Sequence, residues 1–162
     1  MAKSIKLVPE SDTSVPSVPG SKLNDQQRRH LQHEFKLYME RYFKEKLGKG
    51  VDYTKIVIWD DMLIIRGEGF LTTPEKYINE TPSGREVVRA ARMQVVKQHA
   101  VDNVGYFEKK LNARAIHHAY ELEPENDFWM HVIVFDRILT EKSSTERSGK
   151  NRPVGCTSTQ DY

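Results

Sequence analysis

Residues 59–89, WDDMLIIRGEGFLTTPEKYINETPSGREVVR, carry four local signals and decide the fold class. Asp60 and Asp61 separate two apolar runs, Ile56 to Trp59 and Met62 to Ile65, and aspartate tolerates the positive φ of a tight hairpin turn. A β-hairpin is therefore expected over Val51 to Phe70, its strands rich in the β-branched Ile56, Val57, Ile58, Ile64 and Ile65. Gly67 and Gly69 come late in the second strand, where a missing side chain signals a bulge or a close backbone approach. Thr72 and Glu75 stand at capping-box spacing with Pro74 between them, predicting a brief helix anchored by Tyr77 and Ile78 and broken at Thr81 and Pro82. Ser83 and Glu86 repeat that spacing and open the longest amphipathic pattern, running to about Leu111.

Working outward, Asn24 and Gln27 form another capping-box pair, and Gly48 closes the helix they open. Leu31, Phe35, Tyr38, Met39, Tyr42 and Phe43 fall on one stripe of it, which must be buried against a sheet. Beyond Leu111, Ala113 to Leu122 and Phe128 to Ile138 read as a second hairpin around Pro124, Glu125, Asn126 and Asp127. Both faces of its last strand are apolar, which predicts a central strand covered on two sides. The expected fold is α+β: a four-stranded, mostly antiparallel sheet in α-β-β-α-α-β-β order with a long helix. Residues 23–142 form that single domain, with a Pro- and Ser-rich disordered arm over 1–22 and a disordered hydrophilic tail over 143–162.

The long helix presents Val87, Val88, Ala91 and Val95 on one arc and Val96, Ala100, Val104, Phe107 and Leu111 on another roughly 160° away. At 1.5 Å per residue it reaches about 42 Å, whereas seven-residue strands reach about 24 Å. The overhang predicts a homodimer packed through the second arc, unless a break near Gln98 folds the helix back on itself.

Bulk properties narrow the function classes. The apolar runs are far shorter than the roughly 18 residues that cross a bilayer, the N-terminus lacks a secretory apolar stretch, and Cys156 has no cysteine partner, so a cytoplasmic location is expected. Of the charges, residues 24–142 hold 19 Lys+Arg and 19 Asp+Glu, leaving the domain neutral, which argues against a dedicated nucleic-acid binder on counterion grounds.

Catalytic chemistry is hard to find. His117, His118 and His131 fall on paired strands, with His118 close to His131 once the second hairpin folds, and His99 lies on the long helix. A structural zinc site wants four ligands at recognisable spacing, so half-exposed strand histidines are the simpler reading and no metal or other cofactor is expected. Ser83 is committed to capping, no nucleophile elbow appears, and Gly67-Glu-Gly69 is only a fragment of a dinucleotide motif. Asp60 and Asp61 suit a turn better than a cation site. The sequence therefore reads as no enzyme. Arg85, Arg89 and Arg92 make a basic stripe on the long helix, with Arg66 as a neighbour, that would bind a partner or an anion. A solvated helix face is the plainer reading of the stripe, and a solvent-side strand position that of Arg66.

From Gln32 to Thr140 the chain resembles the MpsC-like family of bacterial proteins, long known only as a domain of unknown function. The resemblance rests on Gly48 and Gly50, Asp60-Asp61-Met62, Arg66, Leu71-Thr72 with Glu75-Lys76, Thr81 with Gly84-Arg85, and the alternation His131-Val132-Ile133-Val134-Phe135. It implies a soluble accessory component of a sodium-translocating, membrane-potential-generating system linked to inorganic-carbon uptake. The implied partner is a membrane-protein complex approached from the cytoplasmic side. It supplies no catalytic residues. The competing expectation is a nucleic-acid or nucleotide-phosphate module using the Arg85, Arg89 and Arg92 face.

Overall fold

The computed structural model describes residues 20–141; the expected disordered segments lie outside the described residues, apart from 20–22. Helix α1 spans Asp25–Leu47, strands β1 and β2 span Tyr53–Trp59 and Met62–Glu68, and helices α2 and α3 span Thr73–Ile78 and Pro82–Leu111. Strands β3, Ala115–Glu123, and β4, Phe128–Phe135, complete the expected order, joined by a 3-10 turn at Pro124–Asn126. The pairings among these four strands are antiparallel and the spatial order is β1-β2-β4-β3, so β2 and β4 are central.

Local chemistry explains the boundaries. Asn24 and Gln27 exchange side-chain and backbone hydrogen bonds at 2.9 and 3.1 Å, and α1 ends on Gly48 with φ 65°. The first hairpin turns at Asp60, φ 55°, and the second at Asp127, φ 48°, which also accepts the backbone N–H groups of Phe70 and Leu71 at 2.9 Å. Gly67 confirms the close approach: a Cβ there would collide with the indole of Trp129.

The start of α3 differs from expectation. Thr81 is its cap, accepting the Gly84 N–H at 3.1 Å, and Pro82 opens the helix instead of only breaking the one before. The reason is that proline fits the first turn, where its missing N–H costs nothing. From there α3 runs unbroken for 30 residues, so no break occurs near Gln98. It ends on left-handed Asn112, where Arg137 donates to the carbonyls of Leu111 and Asn112 at 2.7 and 2.9 Å.

Helices α1 and α3 cover one face of the sheet. The core joins Phe35, Met39 and Phe43 of α1 to Ile56, Ile58, Leu63, Ile65, Trp129, Ile133 and Phe135 of the sheet, and to Val88, Val96, Phe107 and Leu111 of α3. This corrects the expected dimer-helix face. Val96, Ala100, Phe107 and Leu111 are buried within one chain and Val104 is half-buried. The overhang of α3 is filled by α1 instead: Phe35 meets Phe107 edge-on at 5.0 Å, Tyr38 stacks on Tyr106 at 4.1 Å, and Lys110 and Tyr106 both reach Glu34. Apolar residues alone give two arcs on the wheel. Adding buried Arg92, His99 and Asn103 merges Val88 through Leu111 into one stripe about 140° wide.

The second correction concerns β4. It is central, but its Phe128, Met130, Val132 and Val134 face away from the helices and stay partly exposed, so it is covered on one side only among the described residues.

Candidate functional site

The four arginines do not form one basic site. Arg66 projects from the helix-free face of the sheet, pairs with Glu68 and lies over the rings of Tyr53 and Phe128 at 5.7 and 5.4 Å. On α3, Arg85 lies 3.4 Å from Glu125, Arg89 lies 3.5 Å from Glu121, and Arg92 pairs through two nitrogens with Glu75. Each cation therefore has a carboxylate. Arg92 is only 3% exposed and covers Phe70 at 5.0 Å. Burial alone would raise the Glu75 carboxyl, but hydrogen bonds from Arg92 and Thr72 outweigh it and hold the group below its usual range. The Arg92–Glu75 pair consequently acts as a tie between α2 and α3, and a phosphate arriving here would have to displace three carboxylates.

Sequence reasoning placed His118 beside His131 but missed a longer arrangement. The Tyr38 hydroxyl donates to Asn103 Oδ1 at 2.7 Å, and the Asn103 amide faces His99 Nδ1 at 3.1 Å. His99 Nε2 lies 3.0 Å from His131 Nδ1, and His131 Nε2 lies 2.9 Å from His118 Nδ1. Because the Asn103 oxygen is engaged by Tyr38, its NH2 donates to His99 Nδ1, which places the His99 proton on Nε2. The same logic sends the His131 proton to His118, so every donor points from α1 towards β3. Burial pushes both His99 and His131 down to about 3, keeping them neutral.

That chain uses up the inward nitrogens of three imidazoles in a line. No group of three His, Cys, Asp or Glu side chains is placed to hold a metal among the described residues. What the arrangement does is fasten α1, α3, β4 and β3 through polar contacts inside an otherwise apolar core. The signal for it was available only in part: His99 and Asn103 are four residues apart on one helix face, but their partners are remote in sequence.

The helix-free face has its own order, fixed by strand register. One row across the sheet reads Trp59, Met62, Val134, His117, and the next reads Val57, Ile64, Val132, Ala119. The third reads Lys55, Arg66, Met130, Glu121, and the last Tyr53, Glu68, Phe128, Glu123. None of these side chains belongs to the core cluster or packs against it. The face is apolar at its centre, basic towards β1 and acidic at β3.

No helix among the described residues is long and apolar enough to cross a membrane. Over 117 residues the chain is 29% identical to the uncharacterized protein YrhF of Bacillus subtilis (strain 168), a match covering 72% of this chain and 96% of that protein. No solved structure matches it. Residues 27–137, the whole of the folded unit from the first turn of α1 to the end of β4, match the family model described as "Na+-translocating membrane potential-generating system (MpsC)", and the chain belongs to that family.

Proposed function

We propose that this protein is a non-enzymatic accessory or regulatory component of a membrane cation-translocating system, linked to inorganic-carbon uptake and docked on it from the cytoplasmic side. The observation that carries this reading is the family match over 27–137. The paired state of Arg85, Arg89 and Arg92 supports a protein partner over a phosphate one, because a phosphate ligand wants uncompensated cations.

The test is capture of a detergent-solubilised membrane complex on the immobilised chain at low and high salt, with nuclease treatment as control. Apolar docking survives salt that screens phosphate contacts. We expect retention at high salt, indifference to nuclease, and a lowered sodium-dependent membrane potential in cells lacking the chain. An unchanged potential, or capture abolished by nuclease, would overturn the reading.

A further inference from the structure

We propose that the helix-free face of the sheet is the interface of a homodimer, with a two-fold axis parallel to the strands between β2 and β4. The occupant follows from how the four rows are ordered. Rotation about that axis lays β1 of one protomer over β3 of its partner, and β2 over β4, with each row meeting its own copy. The apolar row Val57, Ile64, Val132, Ala119 then meets itself in reverse, so apolar covers apolar.

Charge follows the same operation. Lys55, which has no ion-pair partner among the described residues, comes over the copy of Glu121 at the opposite edge, and Arg66 comes within reach of the same acidic edge. In the single chain Glu121 has the exposed Arg89 as its ion-pair partner at 3.5 Å, and its Oε1 also accepts the Leu122 N–H at 3.1 Å. A two-fold axis across the strands fails this test. It would place the Val57 row on the Lys55 row, so that Lys55 lands on the copy of Val57 instead of Glu121 and is buried without a counter-charge, a costly desolvation.

Four strands and seven residues give a plan of about 19 by 24 Å, the scale at which apolar patches on monomers become interaction sites. Two such faces stack as an aligned sandwich at about 10 Å. The interface is isologous, as closed two-fold dimers require. It replaces the long helix as the dimer surface and rests on register alone, independent of the accessory role proposed above.

The experiment is sedimentation of the full chain at micromolar concentration, with three variants whose folding is checked by circular dichroism. The native chain should sediment as a dimer. Ile64→Lys, at the centre of the face and outside the core, should give a folded monomer. Lys55→Glu should raise the dimer dissociation constant about tenfold, equivalent to 1.4 kcal/mol, and adding Glu121→Lys should restore it. A native monomer would overturn the proposal, whether the face is bare or covered by the chain's own end segments. So would a dimer indifferent to Ile64→Lys, which would locate association at a strand edge or on a helix. Loss through Lys55→Glu without rescue by Glu121→Lys would overturn the axis direction.

Discussion

Glu75 does three jobs with one carboxylate: it accepts the Thr72 N–H at 2.8 Å and hydroxyl at 2.6 Å, and it neutralises Arg92. Replacing it by glutamine keeps the shape and strands a guanidinium that is 3% exposed. Removing one partner of a buried pair costs about 3 kcal/mol, so Glu75→Gln should lower the unfolding free energy in urea by that order. Glu75→Leu with Arg92→Met should recover most of the loss, since the burial penalty leaves with the charges. Legibility at this scale divides by distance along the chain. The pairing of Thr72 with Glu75 and of Asn24 with Gln27 is visible in sequence because a helix start fixes their separation. Arg92 looked like a surface cation because its partner lies 17 positions away, across a helix boundary. Gly67 announced a close approach, but nothing local named Trp129 as the group that approaches.

Helix α3 shows how a pattern can be read correctly and still mislead. Its apolar positions do shift around the wheel, and taken alone they imply a second surface. The core is partly polar along this seam, and His99 and Asn103 occupy positions that an apolar-only wheel leaves blank. His99 and its partner His131 on β4 make the fold sensitive to acid. Their folded values, about 3, lie below the ordinary 6.5, so the unfolded chain binds the extra protons. The stabilisation is complete above 6.5 and is lost as pH falls towards 3, amounting to roughly 2 kcal/mol per histidine at pH 5. Glu34 and Glu75 are held below 4.5, so they weaken the fold only in stronger acid. Urea titrations at pH 7.5 and 5 should therefore differ by about 3 to 4 kcal/mol, and His131→Met should remove about half of the difference. An unchanged midpoint across that window would show that the histidines are not buried as neutral rings.

For the molecule as a whole, the element order and both hairpins were readable because each strand pair is joined by a short turn with Asp at positive φ. The β1-β2-β4-β3 order was not, since β2 and β4 are brought together across two helices by side chains that meet only in the finished core. The neutral charge of the domain likewise concealed how charge is arranged on the helix-free face, where the basic and acidic edges cancel in any count and separate only once register is known.

At one corner, Leu23 N–H donates to the Leu139 carbonyl at 2.7 Å and Glu141 N–H donates to the Leu23 carbonyl at 3.1 Å, buckling the start of the described chain to its finish. The clasp is made of main-chain atoms, so among single exchanges only proline, which lacks the donating N–H, takes a bond from it, whereas shortening the polypeptide removes both. Compared with a chain beginning at Ser21, one beginning at Asn24 forfeits two hydrogen bonds and the cover that Leu23 gives the core. At about 1 kcal/mol per bond, the second truncation should melt about 4 °C or more below the first. Anything grafted ahead of α1 or behind β4 would thus leave from a shared exit, and a pair of reporters placed there would register the buckle opening before the core of the fold gives way.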